Sequence, residues 1–250
     1  MLKGELERRF LKMGLSEDLN EAAQYTGSIF QRVGELLILL IISIIPIVDF
    51  IALGYYARIV RDSPSSRSVP RLEGYVDMFV EGLKIIVVAI IWAIIIGIIS
   101  LIFAIPFIAL SAINFLANPG VFLGFGWIFA FGSYFVIFGI IAFLLGIFAF
   151  MGIIHMVKTN DFGKAFAFGE LFRMIGKIGW LRYIAFFVVF FIASAVVGTI
   201  TGVLGPLGWI VGALLSVLVG LFFSRTIGLL YDDAAGVGRQ PSVATQTQSV

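Results

Sequence analysis

The chain has no cysteine and a single histidine, His155, among its 250 residues. Disulfide frameworks, thiolate-held zinc or iron–sulfur centres and thiol nucleophiles are therefore excluded. Charge is also scarce: Asp, Glu, Lys and Arg make up 13% of the residues, against about 25% in a soluble domain. Two long stretches, 85–154 and 183–224, carry none at all. A water-facing surface cannot be built from that supply. With 60% hydrophobic residues and a mean hydropathy of +1.09, the chain takes the bilayer as its solvent. A net charge of +2 is too small to suit nucleic acid as a partner.

Known catalytic spacings are missing as well. There is no glycine loop with its phosphate-binding lysine, no paired-histidine metal helix and no Gly-x-Ser-x-Gly elbow. The glycines fall in apolar runs rather than after strands. The expectation is a protein that is not an enzyme and holds no cofactor. A lone histidine without a cysteine or acidic cluster beside it rarely ligates metal, so His155 is expected to pack at an interface.

What is present is a set of long apolar runs punctuated by charge. An all-α polytopic membrane bundle follows, with four long transmembrane helices in two hairpins: 85–116 with 121–155, and 181–202 with 207–230. Asn118-Pro119-Gly120 and Gly205-Pro206-Leu207-Gly208 supply the uncharged turns. Three spans would also fit in 85–154, but they would carry the basic 158–182 segment to the other side. Two long helices, tilted or bent near Pro106, keep the basic connectors together. Amphipathic surface helices are expected at 71–84 and 162–178. In 1–33, Leu2, Leu6, Phe10 and Met13 form one stripe of a charged segment that is not a cleaved leader. The tail, 232–250, is expected to be disordered.

The segment 36–56 is broken by Pro46 and Asp49, and two readings stay open. Either it is one kinked span, or two half-helices dip into the membrane and return. Each half is shorter than the roughly 20 residues of a span, and re-entry leaves every basic residue on one side. The charged loops and the C-terminus are then cytoplasmic in a multi-pass cell-membrane protein. Phe79-Val80-Glu81-Gly82-Leu83-Lys84 and Phe168-Gly169-Glu170-Leu171-Phe172-Arg173 share a pattern ahead of the two hairpins, consistent with an internal duplication.

Asp49 is the one acid inside an apolar run. It is expected to cap the following half-helix or to serve as an ion or proton site. Arg58, Arg61, Arg173, Lys177 and Arg182 are candidate contacts for anionic lipid headgroups. Small residues recur every fourth position at Gly208, Gly212, Ser216, Gly220, Ser224 and Gly228. This ridge suits close helix packing, within the chain or between copies. Ser194, Gly198 and Gly202 form a second such row, whereas Gly132, Gly139, Ala142, Gly146 and Ala149 recur at heptad-like spacing.

The run Ile44-Ile45-Pro46-Ile47-Val48-Asp49-Phe50, with Leu53-Gly54-Tyr55-Tyr56-Ala57-Arg58 after it, resembles an uncharacterised prokaryotic, mainly archaeal, membrane family. This is domain of unknown function four-zero-one-three. Phe79 to Lys84, Asp161-Phe162-Gly163-Lys164-Ala165-Phe166 and Gly169-Glu170 support the likeness, which covers about 31–233. The family has no assigned activity, so the resemblance implies none. Two functions fit the residues: a non-catalytic scaffold or subunit associated with lipids, a partner protein or further copies, and a small transporter or channel with a site near the broken first segment that holds Asp49.

Overall fold

The computed structural model of the chain describes residues 2–45, 47–121 and 125–237. Pro46, the side chains of the 2–13 stripe and the tail beyond 237 lie outside the described residues. Nine α-helices follow one another among those described: α1 Leu2–Gly27, α2 Val33–Ile44, α3 Asp49–Asp62, α4 Tyr75–Ala117, the one-turn α5 Pro119–Val121, α6 Trp127–Thr159, α7 Phe168–Ile178, α8 Trp180–Val203 and α9 Gly208–Ala235. Short 3-10 turns occupy Ser28–Arg32, Phe162–Phe166 and Gly205–Leu207. In lipid each backbone amide and carbonyl must find its partner within the protein, which a helix provides along its own length.

Five stretches are long and apolar enough to cross a membrane: Gly14–Ile44, Tyr75–Ala117, Phe131–Thr159, Trp180–Val203 and Gly205–Ala235. The protein is an all-α polytopic membrane bundle. Four of the five stretches are the arms of the two expected hairpins. The first, Gly14–Ile44, is interrupted by the 3-10 turn at Ser28–Arg32.

α2 and α3 form a small hairpin of their own. Leu36, Leu39 and Ile42 of α2 are buried with Ala52, Tyr55 and Ile59 of α3 and with Val217 and Leu221 of α9. Both open ends of this hairpin reach the same loop. Arg32 Nη1 donates to the Val69 carbonyl at 3.0 Å, and Arg58 Nη1 to the Glu73 carbonyl at 2.7 Å. At 1.5 Å per residue the arms measure about 18 and 21 Å, short of a hydrocarbon core of about 30 Å. α3 stops at Ser63 in extended backbone (φ −67°, ψ 145°), because Pro64 disfavours a helical residue before it.

The sequence differs from the structure at three joints. The surface helix expected at 71–84 is, from Tyr75 on, the start of the 43-residue α4. No breaker separates the two, and Gly82 continues the helix while packing against Phe50 of α3. Pro106 lies inside α4 without ending it, as expected, whereas the surface helix expected at 162–178 is a 3-10 turn, Phe162–Phe166, followed by the shorter α7, Phe168–Ile178. Helix α9 runs to Ala235, past the expected start of a disordered tail at 232, because Asp232 and Asp233 are held by cations on other helices. The duplicated motif therefore falls in two different settings. Glu81 sits within a long helix, whereas Glu170 sits in α7, which Gly179 (φ 92°) separates from α8 by a turn that only glycine adopts freely.

Packing is densest toward the charged end of the bundle. Trp92, Met151, Leu171, Ile175, Tyr183, Phe186 and Ile227 form its core. Ala165, in the 3-10 turn, is trapped there. Its carbonyl accepts from Trp92 Nε1 at 3.3 Å and would lie 2.3 Å from a Cβ on Gly152. At the closest helix contact, a Cβ on Gly54 of α3 would meet the Met78 carbonyl oxygen of α4 at 1.8 Å. A Cβ on Gly82 would meet that of Phe50 at 1.8 Å. Each glycine thus points a Cα hydrogen at the other helix's carbonyl.

The α9 ridge is used in two halves. Gly208 and Gly212 take the backbone and methyl of Thr201 on α8, while Gly220 takes the ring of Tyr56 and Gly228 the side chain of Ser63. Ser216 between them is exposed. Gly132, Gly139, Gly146, Gly198 and Gly202 would meet nothing within 4 Å, so these glycines of α6 and α8 make no close approach to another helix among the described residues.

Candidate functional site at the charged end

Seven helices, α1, α3, α4, α6, α7, α8 and α9, bring charged groups to one end of the bundle, and most of those charges among the described residues are paired. Lys158, at the end of α6, donates to Asp232 of α9 at 2.7 Å and to the Ser63 carbonyl at 2.8 Å. The two side chains are 8% and 5% exposed. Such a pair contributes little net stability, because desolvating both ions offsets their attraction, but losing one partner leaves an uncompensated charge. Arg225, at 2% exposure the most deeply buried cation among the described residues, pairs with Glu21 of α1 at 2.7 Å. It also donates to the Pro64 carbonyl at 3.3 Å and lies 4.6 Å from the centre of the Tyr25 ring, a cation–π contact. Arg182 of α8 joins the buried Asp18 of α1 and reaches Asp233 of α9 at 3.0 Å. These contacts clamp α1 against the final turns of α9.

His155 links three elements. Nδ1 lies 2.7 Å from the Tyr231 hydroxyl and Nε2 lies 3.0 Å from Glu170 Oε2. A neutral ring protonated on Nε2 satisfies both bonds: it donates to the carboxylate and accepts from the phenol. Lys164 donates to the other oxygen of Glu170 at 2.5 Å. Lys164, and after it His155, hold the Glu170 carboxyl down at about 2. These bonds fix α7 to α6 and α9.

The candidate headgroup residues divide into two sets. Arg58 donates to the Arg71 and Glu73 carbonyls and Arg182 pairs with Asp18 and Asp233, while Arg61 uses Nε on the Val157 carbonyl and Nη2 on Glu81. Arg173 and Lys177 are exposed and, among the described residues, have no ion-pair partner. They stand on α7, which buries Leu171, Ile175 and Ile178 and leaves Phe168 and Phe172 half-exposed.

Asp49 opens α3 as its first-turn acid, where its charge meets the positive end of the helix dipole. The capping position is Val48, and no side-chain cap bond forms there. Tyr56, two turns further along, has Ser43 of α2 as its side-chain partner and feels the charge of Asp49. Tyr134 and Ser100 line a separate cavity of about 240 Å³ with Phe103, Phe107, Ile137 and Phe138. Asp49, Thr199 and Ser216 do not reach it. Thr199 bonds its own helix at the Ala195 carbonyl, 2.9 Å away.

The pairs Lys158–Asp232, Arg225–Glu21 and Arg182–Asp18, and the Tyr231–His155–Glu170 chain, were not legible in the sequence. Their partners lie 15 to 204 residues apart. The available signal was the near match of 17 basic and 15 acidic residues gathered at the borders of the apolar runs. No curated protein and no solved structure matches the chain. The sequence profile described as Protein of unknown function (DUF4013) matches residues 37–206, which covers the small hairpin, α4, α6, α7 and α8, and the chain belongs to that family.

Proposed function

We propose that the protein is a non-catalytic subunit of the cell membrane whose charged end lies in the cytoplasm and engages anionic lipid headgroups, directly or as a scaffold for a partner. The observation that carries this reading is the division of the basic residues. Among the described residues most are engaged in ion pairs, while Arg173 and Lys177 remain exposed on α7 beside the half-exposed rings of Phe168 and Phe172. An amphipathic helix with aromatic rings flanking unpaired cations suits the headgroup boundary. The apolar lining of the Tyr134 cavity also favours this reading over a hydrophilic path. With the connectors on one side, the α2–α3 hairpin re-enters from the cytoplasm.

Thermal unfolding of the full chain in neutral detergent tests the reading. Added phosphatidylglycerol is expected to stabilise the protein more than phosphatidylcholine. In Arg173→Gln/Lys177→Gln that preference falls by about 1 kcal/mol per residue removed. Equal stabilisation by the two lipids, or an unchanged preference in the double variant, overturns it.

Asp49 keeps a second reading in play, transport near the hairpin tip, since an acid there acts on the Ser43–Tyr56 pair. Flux across liposomes that equals that of empty vesicles ends it, and loss of flux in Asp49→Asn supports it.

A further inference from the structure

A half-open cleft of about 140 Å³ lies where the end of α3, the second turn of α4 and the end of α6 meet the turn after it. Arg61, Glu81, Lys84, Val157, Asn160 and Phe162 line it. Three features make it more than a surface dent. The first is charge. The lining holds two cations and one carboxylate, and that carboxylate, Glu81, is already paired with Arg61. Lys84 is exposed and, among the described residues, unpaired. Arg61 Nη1 likewise makes no bond within the described residues, because Nε is used on Val157 and Nη2 on Glu81. Asp62 also acts on Arg61, but it is shared with Arg58 and Lys158 and does not line the cleft.

The second feature is depth. Lys84 is the last charge before the uncharged run that starts at residue 85, so the cleft sits at the border between polar and apolar surroundings, where phospholipid phosphates lie. The third is the rim. Asn160 holds a left-handed conformation at φ 53° and is exposed, and Phe162 is exposed beside it. That places an amide donor and an aromatic ring at the mouth.

We infer that this cleft binds the phosphodiester of one anionic phospholipid, with Lys84 and Arg61 on the phosphate oxygens, Asn160 at the ester side and Phe162 against the glycerol and first methylenes. One net positive charge in the lining matches one phosphodiester anion. The volume is several times the roughly 30 Å³ share of a water molecule, enough for a phosphate with its ester oxygens. The site rests on the membrane orientation of the proposed function but uses residues other than those of α7.

The test is native mass spectrometry of the full chain in neutral detergent, titrated with phosphatidylglycerol, phosphatidylcholine or inorganic phosphate. One phosphatidylglycerol is expected to bind ahead of all further copies. Lys84→Gln weakens that first binding about fivefold or more, Lys84→Arg keeps it, and Arg173→Gln/Lys177→Gln leaves it unchanged. Asn160→Gly, which keeps the left-handed backbone, weakens it independently of any effect at position 84. Unchanged first binding in Lys84→Gln, or equal first binding of phosphatidylcholine, overturns the site. Displacement of the lipid by inorganic phosphate with the same dependence on Lys84 assigns the cleft to free phosphate and overturns the lipid. If Lys84→Gln binds normally while the α7 double variant loses its lipid preference, the cleft fails and the broader reading stands. The reverse result sinks the α7 reading alone.

Discussion

Replacing Gly54 with alanine should separate two helices that nothing else holds so closely. The new Cβ would lie 1.8 Å from the Met78 carbonyl oxygen and 2.5 Å from its carbon. Carbon and carbonyl oxygen rest at about 3.3 Å, so α3 and α4 must part by roughly 1.5 Å. Overpacking of that kind costs about 1–3 kcal/mol. Parting the helices also removes the two Cα–H···O contacts made by Gly54 and Gly82, about 0.5–1 kcal/mol each. The expected loss is about 3 kcal/mol, a large share of the roughly 5–15 kcal/mol that holds a domain folded. Denaturation of the full chain in mixed micelles of neutral detergent and dodecyl sulfate measures it. Gly82→Ala should cost as much, and the double variant little more than either alone, because one separation opens both contacts. Gly198→Ala, which meets nothing within 4 Å, should stay within about 0.5 kcal/mol of wild type. A Gly54→Ala protein as stable as that control, or a double variant showing the full sum, would refute the close approach.

Two further outcomes follow from the charged end. Asp232→Ala leaves the buried Lys158 with the Ser63 carbonyl as its remaining hydrogen-bond acceptor and should cost about 3–5 kcal/mol, while Lys158→Met/Asp232→Leu recovers most of the loss in the same denaturation assay. The Glu170 carboxyl is held at about 2, down from 4.5. Its pinning of α7 is therefore complete above pH 4.5 and fades as pH falls through 2. Emission from Trp180, which packs edge-on to Phe172 of α7, should report that release, and Glu170→Gln should flatten the curve.

How far the sequence reached depended on the kind of physics involved. Apolar runs with no charge define helices and hairpins by length alone, so α4, α6, α8 and α9 could be read from composition and turns. Surface helix α7 could be read from periodicity, since its apolar positions recur at helical spacing. Pairings across the charged end could not. Nothing local in Asp18 points to Arg182, and nothing in Glu21 points to Arg225. The ridge of small residues on α9 was visible, yet its partners, Thr201 at one end and Tyr56 and Ser63 at the other, depend on where the α2–α3 hairpin docks. Gly54 and Gly82 make the tightest helix contact and gave no periodic signal, because a single glycine facing a single carbonyl has no repeat.

Because the chain has no cysteine, single cysteines can map its sidedness without background. Glu17→Cys, Ser65→Cys and Gly169→Cys at the charged end, and Asn118→Cys and Leu207→Cys at the hairpin tips, would be treated with a membrane-impermeant maleimide in intact cells. The tip cysteines should react at once and the other three only after permeabilisation. Ser65→Cys and Gly169→Cys labelled from opposite faces would contradict the shared compartment, and Glu17→Cys labelled from outside would turn the small hairpin into a crossing.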